Sequence, residues 1–451
     1  MNQAPEHQTV IALREWDELG PASGSLAGLA LASDHARSIA QALSESQKLH
    51  VEEMRSGLRV STTSYVGRVS FDGLTIDVRP KIDKLPLSIL FGYAYGIRNL
   101  HLVGESLQSI DDASFIDLVV HQVNTEAREL LSRGLKRAYM RECDDLQAPR
   151  GRFDLQRIAT KISTSAGIPC IHYPRTHSCL ANKVLISGLW ISSLLAHDAR
   201  LRGESQMLLS QVTDITCADR ANIREVEQFI WECDRLSSAY LPVAKLTLLL
   251  LDGQGVSMAD ETRTESLRGF LFDMNRFFQE LVSRLLHDAL PEFLVIDEFR
   301  LRYMLKYAKD YNPKKRNAPT PRPDFVVSRP GNKDRIILDA KYRDIWEGNL
   351  PRDMLYQLCI YALSGISDGV SVIVYPSTNR GAVDQYIEIN NPVSGEPLGK
   401  VILRAIDVLR LSEILSDEKS CMRPAMMRSV AEMLVSRNPI SPIYSQTYRE
   451  N

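Results

Sequence analysis

The chain has 451 residues, 44% of them hydrophobic and 24% charged, with a formal net charge of −2. That length exceeds one ordinary core and implies two or three domains, and the balance of apolar and charged residues excludes a disordered chain. A net charge so near zero excludes global basicity, so a nucleic-acid surface must be a local patch. No apolar run approaches the roughly 18–20 residues that span a bilayer, and residues 1–13, with Glu6 and His7, lack a basic segment followed by an apolar core. Seven cysteines without regular spacing read as reduced thiols. A cytoplasmic protein with no membrane contact is therefore expected.

Residues 1–90 read as β-rich. Alternation over 58–78 predicts strands at 66–71 and 74–78 joined by a turn at Phe71-Asp72-Gly73-Leu74, after a helix over 30–45. From 85 to 265 the pattern is mainly helical, with amphipathic stretches at 85–95, 115–139, 183–196, 224–239 and 258–268. Arg150-Gly151-Arg152 and Tyr173-Pro174-Arg175 interrupt them. A third region opens with an apolar stripe of Met274, Phe277, Phe278, Leu281, Val282, Leu285 and Leu286 on one helix. Strands follow at 294–302, 324–327, 335–340 and 370–375, with a helix over 353–364 before the last. Helices and strands around one small sheet give an α/β domain.

Chemistry concentrates in that third region. Pro323-Asp324 leads into one apolar strand, and the next ends in Asp339-Ala340-Lys341, with 14 residues between the aspartates. A gap of that size suits a hairpin, which sets the start of one strand beside the end of the next. Two carboxylates there suit Mg²⁺, with the Ala340 carbonyl as a further ligand, and a lysine beside them suits a water or a phosphate. Metal-dependent phosphodiester hydrolysis needs this arrangement. The alternative is a turn-capping aspartate and a solvated lysine. Gln357 and Tyr361, at i and i+4, project from one face of the following helix. Upstream, Lys306, Lys309, Lys314, Lys315 and Arg316 form a basic run interleaved with tyrosines, suited to phosphates and stacking or to a solvated loop. A second basic set, Arg128, Arg133, Lys136, Arg137 and Arg141, reads as a solvated face on a helix around Gly134. Cys170-x-His172 and His177-x-Cys179 could form a zinc loop, but their spacing matches no common zinc pattern. No glycine-rich nucleotide-phosphate cradle is present, so nucleotide, if used, belongs to a partner.

The Asp-x-Lys strand with the Gln-x-x-x-Tyr helix after it resembles the PD-(D/E)xK nuclease superfamily. In that branch the glutamine and tyrosine support the active-site lysine and the bound DNA. The superfamily adds an acidic residue from the preceding helix. In Phe277-Phe278-Gln279-Glu280, Gln279 stands directly after the aromatic pair and Glu280 one position later, and helical phase does not choose between them. Further motifs resemble the McrC family, the nuclease subunits of McrBC modification-dependent restriction systems. They are Ser64-Tyr65-Val66-Gly67, the segment from Leu74 to Ile82, the segment from Leu131 to Tyr139, Arg150-Gly151-Arg152, the segment from Leu180 to Leu185, and Phe272-Asp273-Met274-Asn275-Arg276-Phe277-Phe278.

The resemblance implies a multidomain α+β protein: a β-rich N-terminal domain over 1–90, a helical middle region over 91–265 and a C-terminal α/β PD-(D/E)xK nuclease domain over 266–451. It implies a McrB-like hexameric AAA+ GTPase as partner, engaged by the N-terminal part, where Tyr65 and Lys81 are the candidate contacts. The substrate implied is double-stranded, methylated DNA. Asp324, Asp339 and Ala340 would hold Mg²⁺, and Lys341, Glu280, Gln357 and Tyr361 would complete the site. A stand-alone PD-(D/E)xK nuclease and a catalytically silent regulator of an AAA+ ring are the alternatives.

Overall fold

A computed structural model describes residues 9–31, 33–82, 85–96, 112–160, 167–216, 219–253, 268–308, 310–331, 335–417 and 420–438. Lys309 and the helix expected over 258–268, up to residue 267, lie outside the described residues. The chain divides into two compact units, one formed by residues 1–100 with 256–451 and the other by 101–255.

The first unit begins with β1 (Thr9–Arg14), β2 (Glu18–Leu19), α1 (Asp34–Glu45), β3 (Leu49–Met54), β4 (Gly57–Thr62), β5 (Tyr65–Phe71), β6 (Leu74–Arg79) and α2 (Leu87–Tyr95). Asp72 and Gly73 make the two-residue turn that pairs Phe71 with Leu74, so the expected hairpin forms. The expected helix over 30–45 starts at Asp34, because the Ser33 hydroxyl accepts from Ala36 N and caps it. β1 runs parallel to β6, Thr9 beside Leu74, and β2, β4 and β3 make a smaller sheet. Alternate residues of these strands, such as Val60, Val69 and Ile76, close on Ile39 and Leu43 of α1 in one apolar core.

The second unit holds α3 (Asp112–Arg133), β7 (Ala138–Tyr139), β8 (Glu142–Leu146), β9 (Arg152–Phe153), α4 (Leu155–Thr160), β10 (Ile168–His172), β11 (Arg175–Thr176), α5 (Leu180–Leu195), α6 (Ala199–Ile215), α7 (Ile223–Glu232) and α8 (Leu241–Gly253). The helix expected over 115–139 stops at Arg133, because Gly134 takes φ 85°. Ala138 and Tyr139 are strand instead, and the helix expected over 224–239 stops at Glu232. Buried Asn182 ties this unit together: its amide donates to the carbonyls of Lys136 and His177 at 3.0 and 2.6 Å, and its oxygen accepts from Tyr240 at 2.8 Å.

The first unit resumes with β12 (Arg268–Asp273), α9 (Met274–Ala289), β13 (Leu294–Asp297), β14 (Phe325–Ser328), β15 (Arg335–Ala340), α10 (Arg352–Ala362), β16 (Val370–Ser377), β17 (Gln385–Asn390), β18 (Pro397–Asp407), α11 (Val408–Ser416) and α12 (Arg423–Leu434). β12 completes the N-terminal sheet, in the order β1-β6-β5-β12, by pairing antiparallel with β5. At Gly67, φ is 126° and a Cβ would stand 2.2 Å from the Phe270 carbonyl oxygen, so only glycine admits β12 there. Two motifs far apart in sequence meet at this seam. Val66 pairs with Phe272, Ser64 Oγ donates to Asp273 at 2.9 Å, and Asp273 in turn caps α9. Every residue of the apolar stripe on α9 is buried.

The second sheet of this unit has the order β13-β14-β15-β16-β18-β17. β15 and β16 are parallel, joined through α10 as a crossover of that kind requires. The strand expected over 294–302 ends at Asp297, where Glu298 turns into the left-handed region with φ 50°. Among the described residues, no helix is long and apolar enough to cross a membrane.

Candidate active site

Register brings the two aspartates together. β14 and β15 are antiparallel with Phe325 beside Leu338, so Asp324, one residue before β14, falls beside Asp339. The backbone N–H of Ala340 donates to Asp324 Oδ2 at 2.7 Å and fixes that carboxylate at the strand end. Asp339 is only 1% exposed, flanked by β14 and β16. Lys341, two residues on and therefore on the same face, continues the parallel ladder through its N–H to the Val374 carbonyl at 2.9 Å. Its Nζ stands 2.9 Å from Asp339 Oδ2.

That face also carries Ile337, which packs with Leu358 and Tyr361 of α10 in one core. Gln357 Nε2 donates to the Tyr361 hydroxyl at 2.7 Å, so the i, i+4 pair joins as its spacing implied. Tyr361 is buried, and its ionisation is suppressed by burial first and then by the negative charge of Asp339. The glutamine–tyrosine pair thus borders the carboxylates. Tyr342 points to the opposite face, where its ring lies 6.3 Å from that of Phe278 on α9.

Burial, and then the neighbouring Asp339 carboxylate, push the Asp324 carboxyl up to about 7, against the pull of the Lys341 ammonium. Asp339 is likewise raised, chiefly by burial, with Lys341 opposing. Burial works against the Lys341 charge, but the two carboxylates outweigh it and hold its pKa above the usual value. Two acids that resist ionising beside one lysine form a cluster short of positive charge.

The residues fit the divalent cation that the sequence implied. Lys341 donates to Asp339 Oδ2 at 2.9 Å, and the buried Oδ1 has no hydrogen-bond partner. A buried carboxylate oxygen without a donor is costly unless a cation completes it, and paired hard oxygens suit Mg²⁺.

Glu280 is half-buried on α9, as is Gln279, and α9 meets the sheet on the Tyr342 face. Among the described residues, one set of three or more histidine, cysteine or carboxylate ligand atoms lies within 4.8 Å of one another, and it is Glu142, Asp144 and His172. Glu280 therefore does not join Asp324 and Asp339 at that distance. The Cys170, His172, His177 and Cys179 set does not assemble either. His177 accepts from Arg137 at 2.9 Å, and the buried Cys179 thiol faces the Lys136 carbonyl.

Sequence reasoning passed over Glu298. Its N–H donates to the Asp324 carbonyl at 2.6 Å, and its carboxylate pairs with Arg322. The signal was its place one residue beyond β13, the strand beside β14. Between Glu298 and Asp324 runs a loop in which Lys306, Lys314, Lys315 and Arg316 are all exposed. Tyr303 and Tyr311 are 91% and 81% exposed, and Asn312 closes a local turn on Arg316 at 2.8 and 2.9 Å. Three of the second basic set are spent on ion pairs: Arg128 with Glu204, Arg133 with Glu129 and Lys136 with Asp234. Lys81 is exposed, while Tyr65 is half-buried against the N-terminal core, with Lys48 Nζ 5.7 Å above its ring.

A family model described as "McrBC 5-methylcytosine restriction system component" matches residues 60–376, more than half of the chain. No curated protein matches significantly. Among solved structures, the chain is similar to one described as a half-complex from a tetradecameric assembly of Thermococcus gammatolerans McrB AAA+ hexamers with bound McrC. Identity is 18%, the TM-score is 0.44, and 94% of this chain and 99% of that chain are covered. A second, the Thermococcus gammatolerans McrBC complex, has 18% identity and a TM-score of 0.35, covering 67% and 90%. Both scores are too low to place individual elements. The family match spans every element from β5 to α10, and the chain belongs to the family of McrBC 5-methylcytosine restriction system components.

Proposed function

We propose that this chain is the McrC-like nuclease subunit of a McrBC-type system, with a PD-(D/E)xK domain that cuts double-stranded, methylated DNA. The observation that carries the reading is the strand-end cluster. Asp324 and Asp339 are neighbours in register, Lys341 lies 2.9 Å from Asp339 Oδ2, and the buried Asp339 Oδ1 accepts no hydrogen bond. Asp324, Asp339 and the Ala340 carbonyl would hold Mg²⁺, which when bound polarises the scissile phosphate and acidifies water. Lys341, charged and paired to Asp339, orients the attacking water or offsets charge building on the phosphate. Gln357 and Tyr361 hold the lysine side of the site in place through their mutual hydrogen bond. The exposed basic loop of Lys306, Lys314, Lys315 and Arg316, with Lys309, neutralises DNA phosphates.

Membership in the family, and the absence of a nucleotide-phosphate cradle from the sequence, support a McrB-like hexameric AAA+ GTPase as the partner. Tyr65 and Lys81 are proposed to contribute to that contact. The test is reconstitution with such a ring on methylated duplex DNA with Mg²⁺. Cutting that vanishes in Asp324→Ala, Asp339→Ala and Lys341→Ala while the complex still assembles supports the reading. Undiminished cutting by Asp339→Ala overturns it. That Glu280 does not join the pair within 4.8 Å favours one second reading, a silent regulator of the ring, and metal-dependent cutting by the complex removes that reading.

A further inference from the structure

We propose that Glu142, Asp144 and His172 form a second divalent-cation site, for a transition ion of the zinc class, on the small sheet of the second unit. The sheet builds it. β8 and β10 pair antiparallel with Glu142 opposite His172 and Asp144 opposite Cys170. Glu142 and Asp144, two residues apart on one strand, share a face, and His172 rises from the neighbouring strand on that same face. One ligand atom from each of the three lies within 4.8 Å of the others. His172 Nε2 is 3.0 Å from Asp144 Oδ2, which turns the imidazole toward the carboxylates.

The local charge favours a cation. Two carboxylates crowd one imidazole, and among the described residues the Glu142 carboxylate makes no hydrogen bond or ion pair. The nearby Arg157 does not serve them, because its guanidinium is taken by the Cys143 carbonyl at 2.9 Å and by Asp145 at 3.5 Å. Protonated histidine offsets one negative charge, whereas a divalent ion offsets both and accepts all three groups as ligands. The donor set selects its class. An imidazole nitrogen favours zinc-like ions over Mg²⁺ and Ca²⁺, and three protein ligands leave room for water. The cysteine–histidine pattern of the sequence thus contains one true ligand, His172, whose companions come from β8 rather than from Cys170, His177 or Cys179.

The site is distinct from Asp324 and Asp339 and is independent of the nuclease reading. Its test uses the full chain carrying Asp339→Asn, which disables the other candidate metal centre. Zn²⁺ binding is followed by calorimetry with Mg²⁺ in excess, and Co²⁺ binding by visible absorption. The expected result is one Zn²⁺ equivalent that Mg²⁺ does not displace, weakened on the order of tenfold or more by His172→Ala and by Glu142→Gln. Glu142→Gln keeps the shape of an exposed side chain, and an unchanged circular dichroism spectrum verifies its fold. Co²⁺ should bind without sulfur-to-metal charge-transfer absorption. Failure to bind Zn²⁺, an affinity that neither substitution changes, or a thiolate signature with Co²⁺ overturns the proposal.

Discussion

At the scale of single residues, Lys341 offsets the crowding of two buried acids. Lys341→Met keeps much of the aliphatic stem but removes the charge, and cleavage should fall by about a hundredfold or more. DNA-free assembly with the partner should be unchanged in the same preparation. Glu280→Ala, by contrast, should retain cutting, because Glu280 does not join Asp324 and Asp339 in a set of ligand atoms within 4.8 Å of one another. A side-by-side cleavage time course separates the two. Glu15 offers a prediction about stability. It is fully buried at the end of β1, accepts from the Lys81 N–H at 2.8 Å through one oxygen, and leaves the other oxygen without a partner. Burial pushes its pKa from 4.5 up to about 8, so the folded protein holds this proton more tightly than the unfolded chain does. Its contribution is fully present below about pH 4.5 and is lost as pH rises to about 8, at no more than about 1.4 kcal/mol per pH unit. Glu15→Gln should therefore gain melting temperature over the parent as pH rises through that window. Parallel melting curves for the two proteins would contradict the assignment.

At the scale of elements, the sequence shows what is local and hides what is long-range. The Asp72-Gly73 hairpin, the stripe on α9 and the pair of strands ending in Asp339 were legible, because turn chemistry and periodicity act over a few residues. The parallel pairing of β1 with β6 and the joining of β12 to β5 were not, since no pattern within a strand names its distant partner. α8 shows the other limit: Leu246, Leu248, Leu249, Leu250 and Leu251 are all buried, so the helix presents no polar face to betray its period. Gly67 was legible as part of a motif, and its reason came only with the Phe270 carbonyl. Gly67→Ala should lower stability by roughly 1–3 kcal/mol in denaturant unfolding by lifting β12 from the sheet. Arg404 was invisible in sequence. Fully buried on β18, it pairs with Asp384 at 2.6 Å and donates to the carbonyls of Met433, Leu434, Ser436 and Asn438, closing the end of α12. Arg404→Met strands that carboxylate and those carbonyls, at a cost of about 3–5 kcal/mol. Earlier protease cleavage near residue 434 is the readout.

At the scale of the whole molecule, a net charge of −2 coexists with an exposed basic loop that leads into Asp324. Both candidate aspartates, the lysine and the Gln357–Tyr361 helix were legible, because each adjoins a strongly apolar element. Glu298 and the place of Glu280 were not, since both depend on which sheet face a helix or loop meets. The loop makes DNA affinity electrostatic in the proposed function. Replacing Lys314, Lys315 and Arg316 together by alanine should reduce the slope of log affinity against log salt by roughly 2–3. An unchanged slope would move the DNA surface elsewhere.

In the proposed function the Asp324–Asp339–Lys341 cluster cuts DNA. Its most direct test is cleavage of methylated duplex DNA with Mg²⁺ and GTP by the chain reconstituted with a McrB-like ring, comparing the native sequence with Asp339→Ala. Double-strand breaks are expected from the native chain and none from Asp339→Ala, with GTP hydrolysis by the ring stimulated equally by both. Breaks produced equally well by Asp339→Ala would contradict it.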